Sequence, residues 1–267
     1  MIDPRSQMDL SGRTALITGA AGGLGNVFSK SLASLGANLI LVDIDEKKLN
    51  SIAAEIRSLA NVKIETIKCD LEKEDERTNL ISNVVKSNTD LNILVNNAAF
   101  VGSSDLTGWT EPFHLQSLET WNRALEVNLT ACFHLIQGLS PLMRKSKGAS
   151  IVNISSIYGH LAPDWTLYEG TSMSNPAAYA TSKGGLIQFT RWLASTLAPE
   201  IRVNAISPGG VLRDQPKSFI NRYEAKVPLK RMAHAEDIVG ALSYLVSDLS
   251  SYVTGTNVEV DGGLGLA

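Results

Sequence analysis

Seven short apolar runs punctuate the chain: TALIT (14–18), NLILV (38–42), VKIETI (62–67), LNILV (91–95), SIVNI (150–154), IRVNAI (201–206) and NVEV (257–260). Their length and near-continuous apolar character predict strands buried on both faces. The intervening stretches carry a helical period. In LGNVFSKSLASLG, Leu24, Val27, Phe28, Ser31, Leu32 and Leu35 fall on one face, and Gly36 closes the helix as a C-cap. Strand and helix alternate throughout, which predicts a single α/β domain: a mostly parallel sheet covered by helices on both sides and joined by right-handed crossovers. A further helix is predicted from NPAAYATSKGG (175–185), with Asn175 as N-cap and Pro176 at the first helical position. Tyr179 and Lys183 then lie one turn apart on the same face. Two irregular segments, AAFVGSSDLTGWTEP (98–112) and YGHLAPDWTLYEGTSMS (158–174), each follow a strand end. Ligands of open α/β sheets bind outside those carboxyl ends, so both segments are candidate site walls.

Composition narrows the function classes. The 267 residues hold 24 Lys and Arg against 27 Asp and Glu, a net charge of −3 with no long run of either sign, so no nucleic-acid partner is expected. The opening MIDPRSQMDLSGR lacks the apolar core of a signal peptide, and no apolar stretch reaches the roughly 18 residues of a membrane helix, so a soluble, cytoplasmic protein is expected. Cys69 and Cys132 lie far apart in apolar surroundings and read as structural thiols. His114, His134, His160 and His234 show no metal-ligand spacing, and no metal site is expected.

The first strand runs into TGAAGGLGN, placing Gly19, Gly23 and Gly25 where a strand meets a helix. Glycines there let the backbone approach a pyrophosphate, and the helix N-terminus favours negative charge. The second strand ends at Asp43, 18 residues past Gly25, near the spacing of an acidic residue that holds an adenine ribose. Neither Ile44 nor Ala20 and Ala21 supplies a cation for a 2′-phosphate, so NAD is favoured over NADP, although Lys47 and Lys48 stand close by in sequence. The third strand ends at Asp70, suited either to the adenine edge or to capping the next helix. For the Tyr179 and Lys183 pair, two readings stand at this point: a core tyrosine beside a snorkelling lysine, or a cation that pulls the phenol below its usual pKa of about 10 so that it exchanges protons near neutral pH.

Seven motifs occur in order: TGAAGGLG, NNAA (96–99), VNLTACF around Asn128, IVNISS ending at Ser156, YATSK from Tyr179, VNAISPGG (203–210) and TGTNVEVDGG. Together they make the chain resemble the short-chain dehydrogenase/reductase family from Arg13 to Gly263. The resemblance implies a Rossmann-type sheet in the order 3-2-1-4-5-6-7 and a tetrad of Asn128, Ser156, Tyr179 and Lys183. Tyr179 would be the acid or base and Ser156 the hydrogen-bond donor to the same substrate oxygen. Lys183 would tune the tyrosine and hold the nicotinamide ribose, and Asn128 would fix a water behind the lysine. A cofactor site is implied at Gly19, Gly23, Leu24, Gly25, Asp43, Ile44, Asp70, Leu71, Asn97, Ala98, Ala99, Tyr179, Lys183, Pro208, Gly209 and Val211.

The sequence departs from the family pattern in three places. Ala99 replaces a glycine, SPGGVLRDQP lacks the usual threonine, and Ser156 lies 23 residues from Tyr179, further than is usual. The extra segment carries Asp164, Trp165, Tyr168, Glu169 and Ser172, a mixture that suits a polyhydroxylated ligand, a lid or an interface. The expected activity is NAD-dependent interconversion of a secondary alcohol and a ketone on a sugar, polyol or sugar derivative. The alternatives are an NADPH-dependent 3-oxoacyl thioester reductase and a catalytically silent dinucleotide-binding or sensing protein. The resemblance also implies a homotetramer, with a dimer as the alternative, packed through the helix after Asn175 and the strand around Val258 to Val260.

Overall fold

A computed structural model describes residues 3–88, 90–102 and 106–266. The middle of the first irregular segment (103–105) and the last residue of the tail GGLGLA lie outside them. A short helix α1 (Pro4–Met8) precedes β1 (Thr14–Thr18), α2 (Gly23–Ser34), β2 (Asn38–Asp43), α3 (Glu46–Leu59), β3 (Ile64–Lys68), α4 (Glu74–Ser87) and β4 (Ile93–Asn96). The second half runs α5 (Leu118–Leu125), α6 (Ala131–Met143), β5 (Ala149–Ile154), α7 (Ala177–Leu197), β6 (Ile201–Pro208), α8 (Lys217–Lys226), α9 (Val239–Val246) and β7 (Asn257–Val260). All seven apolar runs are strands. They form one parallel sheet in the order β3-β2-β1-β4-β5-β6-β7, as expected.

Alternation along each central strand feeds two cores. Ala15 and Ile17 of β1 with Leu39 and Leu41 of β2 pack beneath α2, α3 and α9, whereas Leu16, Ile40 and Val42 pack against α4, α6 and α7. Central strands buried on both sides therefore read as continuous apolar runs, with β4 and β5 fully buried. The α2 helix ends as predicted: Gly36, at φ +92°, donates to the Ala33 carbonyl at 3.0 Å, and a Cβ there would press on Ser11.

One expectation about a helix start is corrected. The long helix α7 begins at Ala177, with Pro176 itself in the cap position in extended backbone (ψ 144°), and the Pro176 carbonyl accepts from Tyr179 N at 3.0 Å. Asn175 is not the cap. Among the described residues the buried Asn175 side chain completes no hydrogen bond, so it does not hold the first turn. A π-helical turn, Glu126–Thr130, lies between α5 and α6. Glu126 is anchored there by the buried Arg77 at 2.6 Å, and Arg77 also donates to the Leu71 carbonyl at 2.6 Å.

Candidate active site

The carboxyl ends of β1 and β4 are stitched together by one threonine and one asparagine. Thr18 Oγ1 accepts from the backbone N–H of Asn97 and of Ala98, both at 3.1 Å, while Asn97 Nδ2 donates to the carbonyls of Thr18 (2.9 Å) and Gly19 (3.0 Å). Gly19 sits at φ +63° with its missing Cβ position 2.8 Å from Ala98 Cα, so no other residue fits that approach. A Cβ on Gly25 would overlap the Gly19 carbonyl, whereas one on Gly23 would meet open space. The three glycines thus divide by task. Gly19 and Gly25 close the turn on itself, and Gly23 keeps the α2 N-terminus open toward the cleft.

At the end of β2, Asp43 accepts from Ala21 N (2.8 Å) and Asp45 N (3.0 Å), which holds its carboxylate against the glycine turn. Asp70 Oδ1 accepts from Glu72 N at 3.0 Å in the turn before α4, whose cap position is Lys73, so Asp70 does not cap that helix; it lines the cleft. The cleft spans about 740 Å³ across the carboxyl ends of the strands. Every residue expected at the site lines it except two: Gly25 turns inward, and Asn128 is buried behind the wall. Arg213 and Gln215 also line it and were missed. Their signal was the unusual stretch after SPGG, already marked by its absent threonine.

At the reactive end, Tyr179, Ser156 and Lys183 share one wall. Lys183 is 2 % exposed, donates to the Ile154 carbonyl at 2.7 Å, and places Nζ 5.8 Å from the centre of the Tyr179 ring. Burial pulls the Lys183 ammonium down to about 8 from 10.5. The same cause raises the Tyr179 phenol above its ordinary 10, with the Ser156 hydroxyl and the Arg213 charge acting in the opposite direction. The expectation that Lys183 depresses the tyrosine is therefore corrected. The ammonium is turned onto the Ile154 carbonyl, and desolvation of the phenolate is the largest influence on Tyr179. The Asn128 side chain ties two elements together: its Oδ1 accepts from Phe100 N at 2.6 Å, and its Nδ2 donates to Ser182 Oγ at 3.0 Å and the Phe100 carbonyl at 3.3 Å. Its amide fixes the loop after β4 to α7.

A side pocket of about 300 Å³ opens beyond Tyr179, which lines both spaces together with Val101. Trp109, Tyr158, Tyr168 and Met173 form its walls, and among the described residues no charged side chain lines it. Tyr168 donates to the Tyr158 hydroxyl at 2.6 Å. The extra segment (160–174) supplies this wall by docking on α8. Asp164 pairs with Lys226, Arg222 donates to the Glu169 carbonyl at 2.5 Å, and Leu167 is buried with Phe219 and Tyr223. Of the candidate ligand groups in the segment, Tyr168 alone faces the pocket; Asp164 is committed to α8.

Both cysteines are buried free thiols, pushed up by burial to about 12 (Cys69) and about 11 (Cys132). Among the described residues no His, Cys, Asp and Glu cluster could hold a metal, and no helix is long and apolar enough to cross a membrane.

A sheet of this order, with a glycine turn, an acidic strand end and a Ser, Tyr and Lys wall along one cleft, defines a dinucleotide-dependent oxidoreductase class. A family model described as enoyl-(acyl carrier protein) reductase matches residues 19–265. A 3-oxoacyl-[acyl-carrier-protein] reductase of Thermotoga maritima is 33% identical over 96% of this chain and 99% of its own length. A Rhizobium meliloti protein named "Probable galactose dehydrogenase GalD" is 32% identical over 98% of both chains. The crystal structure of a gluconate 5-dehydrogenase from Burkholderia cenocepacia, in complex with NADP and tartrate, superposes with a TM-score of 0.87 at 25% identity, covering 99% of this chain and 100% of that one. The chain belongs to the short-chain dehydrogenase/reductase family and is an oxidoreductase.

Proposed function

We propose that this protein is an NAD-dependent dehydrogenase that interconverts a secondary alcohol and a ketone on a sugar, polyol or sugar derivative. The observation that carries the reading is the position of Tyr179, at the junction of the long cleft and the aromatic side pocket. A substrate seated in the pocket presents its oxygen to the phenol, and the cofactor lies along the cleft. The residues fit a dinucleotide: Gly23 leaves room at the α2 N-terminus for the diphosphate, Asp43 suits a ribose diol, and Pro208, Gly209 and Val211 border the nicotinamide end. When bound, the nicotinamide supplies the hydride donor or acceptor.

In this reading Tyr179 passes a proton to or from the substrate oxygen, and Ser156 hydrogen-bonds that oxygen as charge develops on it. Lys183 provides a buried cation for the ribose hydroxyls and the proton path. Asn128 is a positioning residue, acting through the Phe100 backbone and Ser182. Asp43 supports NAD over NADP because a 2′-phosphate would meet its carboxylate, while Lys48 faces Asp45 at 3.5 Å. The tyrosine hydroxyls and aromatic faces of the side pocket support a hydroxylated substrate.

A second reading, an NADPH-dependent 3-oxoacyl thioester reductase, is favoured by the name of the Thermotoga maritima relative. Initial rates with each cofactor on D-galactose, ribitol and an acetoacetyl thioester separate the two. A silent dinucleotide-binding role is opposed by Tyr179, Ser156 and Lys183 standing together on the wall. Tyr179→Phe keeps the ring and removes the proton, so kcat should fall by about 10²–10⁴-fold while NADH affinity by fluorescence is retained; unchanged turnover would end the proposed mechanism. We also read the chain as a cytoplasmic single catalytic domain that assembles as a homotetramer. Exposed Phe133 and Trp192, bridged by Phe189, give α6 and α7 an apolar outer face suited to self-association, which light scattering tests.

A further inference from the structure

The charges on the cleft wall are segregated. Asp43, Asp45 and Asp70 gather at the ribose end, where Lys48 answers Asp45. Toward the reactive end stand two cations. Lys183 is buried and donates to the Ile154 carbonyl. Arg213 is exposed, lines the cleft, and among the described residues its guanidinium has neither a carboxylate nor a hydrogen-bond partner.

The backbone beneath this side chain is nevertheless fixed. Arg213 N donates to Gln215 Oε1 at 2.6 Å, and Gln215 Nε2 donates back to the Val211 carbonyl at 2.8 Å. Leu212 N donates to the Ala233 carbonyl at 2.8 Å, and Ala233 N donates to that of Gly210 at 3.0 Å. The tyrosine registers this cation, since its charge favours the Tyr179 phenolate. A guanidinium carries a planar fork of donors matched to the paired oxygens of a carboxylate or phosphate, and pre-organising the chain beneath it lowers the cost of binding.

We propose that Arg213 is an anion-binding residue of the cleft, taking the paired oxygens of a carboxylate or phosphate at its reactive end. Two sources share that chemistry: the carboxylate of a sugar-acid substrate and the diphosphate of the dinucleotide. The choice of these two rests on the dehydrogenase reading of the cleft; the anion site itself does not.

The test is thermal-shift titration of the full chain at constant ionic strength with sodium pyrophosphate, D-gluconate and, as a neutral control, D-glucose, on wild type, Arg213→Gln and Arg213→Lys. Arg213 is exposed, so both variants should fold. We expect one of the two anions to stabilise the wild type, the Gln variant to bind it about tenfold more weakly, and the Lys variant to fall between because a point charge lacks the fork. Loss confined to pyrophosphate assigns the dinucleotide diphosphate, and loss confined to gluconate assigns a substrate carboxylate. Wild type that binds neither anion, or a Gln variant within twofold of wild type for both, overturns the proposal. NADH fluorescence on the same wild-type sample reads the dehydrogenase assignment separately. Anion binding that depends on Arg213 without NADH binding would leave this site standing and end that assignment.

Discussion

The two ends of the cleft are built in opposite ways. At the ribose end each contact spans a turn or a neighbouring strand: Gly25 against Gly19, Asp43 onto Ala21, Asn97 onto Thr18. Steric necessity fixes the residue types there, because only glycine permits φ +63° together with such close backbone approaches. The substrate end is a loop made rigid by something else. Segment 160–174 takes its shape from α8, some 50 to 60 residues later in the chain, through the Arg222 and Lys226 contacts and the burial of Leu167. The first kind of wall leaves a signature in spacing. The second leaves only composition, which is why Asp164 looked like a ligand group and is instead a docking group.

The glycines give the largest expected contrast. Gly25→Ala forces a Cβ into the Gly19 carbonyl and should cost about 3 kcal/mol or more, seen as a melting temperature lower by about 6–12 °C. Gly23→Ala has open space, so its melting temperature should hold while the stabilisation conferred by NAD falls about tenfold in apparent affinity. Equal destabilisation by the two would erase the division of tasks drawn here.

Next in size is the ribose residue. Asp43→Asn keeps an acceptor for Ala21 N but removes the charge, and should move the NAD to NADP ratio of kcat/KM toward NADP by about tenfold or more. An unchanged ratio would detach cofactor choice from this carboxylate.

Lys183 sharpens the comparison by stability instead of activity. Its ammonium holds its proton up to 10.5 in the unfolded chain and to about 8 when folded, so folding carries the full desolvation penalty below pH 8 and sheds it as pH rises toward 10.5. Lys183→Met relieves about 3 kcal/mol of penalty below pH 8 and leaves the Ile154 carbonyl unpaired, a net gain of about 1–2 kcal/mol. Denaturant titrations should show that gain fading between pH 8 and 10.5. A variant less stable than wild type at pH 7 would refute the penalty.

The smallest effect belongs to the docked wall. Lys226→Ala breaks a pair that is 40% exposed on each side and should cost below about 1 kcal/mol, raising substrate KM about threefold with NAD affinity unchanged. A matching loss of NAD affinity would mean that the two ends are not independent.

The sequence by itself determined the seven strands, their parallel order through the family resemblance, the glycine turn with Asp43 beyond it, and the one-turn spacing of Tyr179 and Lys183. These are matters of period, φ and reach between near neighbours, and a linear chain displays them directly. Only the tertiary structure decided where polar groups spend their hydrogen bonds. It turned the Lys183 ammonium onto Ile154, gave the Asn128 amide to Phe100 and Ser182, left Asn175 outside the helix it was expected to cap, and set Arg213 on the wall with no partner among the described residues. Burial then reversed the expected direction of the Tyr179 shift, because the free energy of a charge depends on everything packed around it, and that enclosure is contributed by segments far apart in the chain.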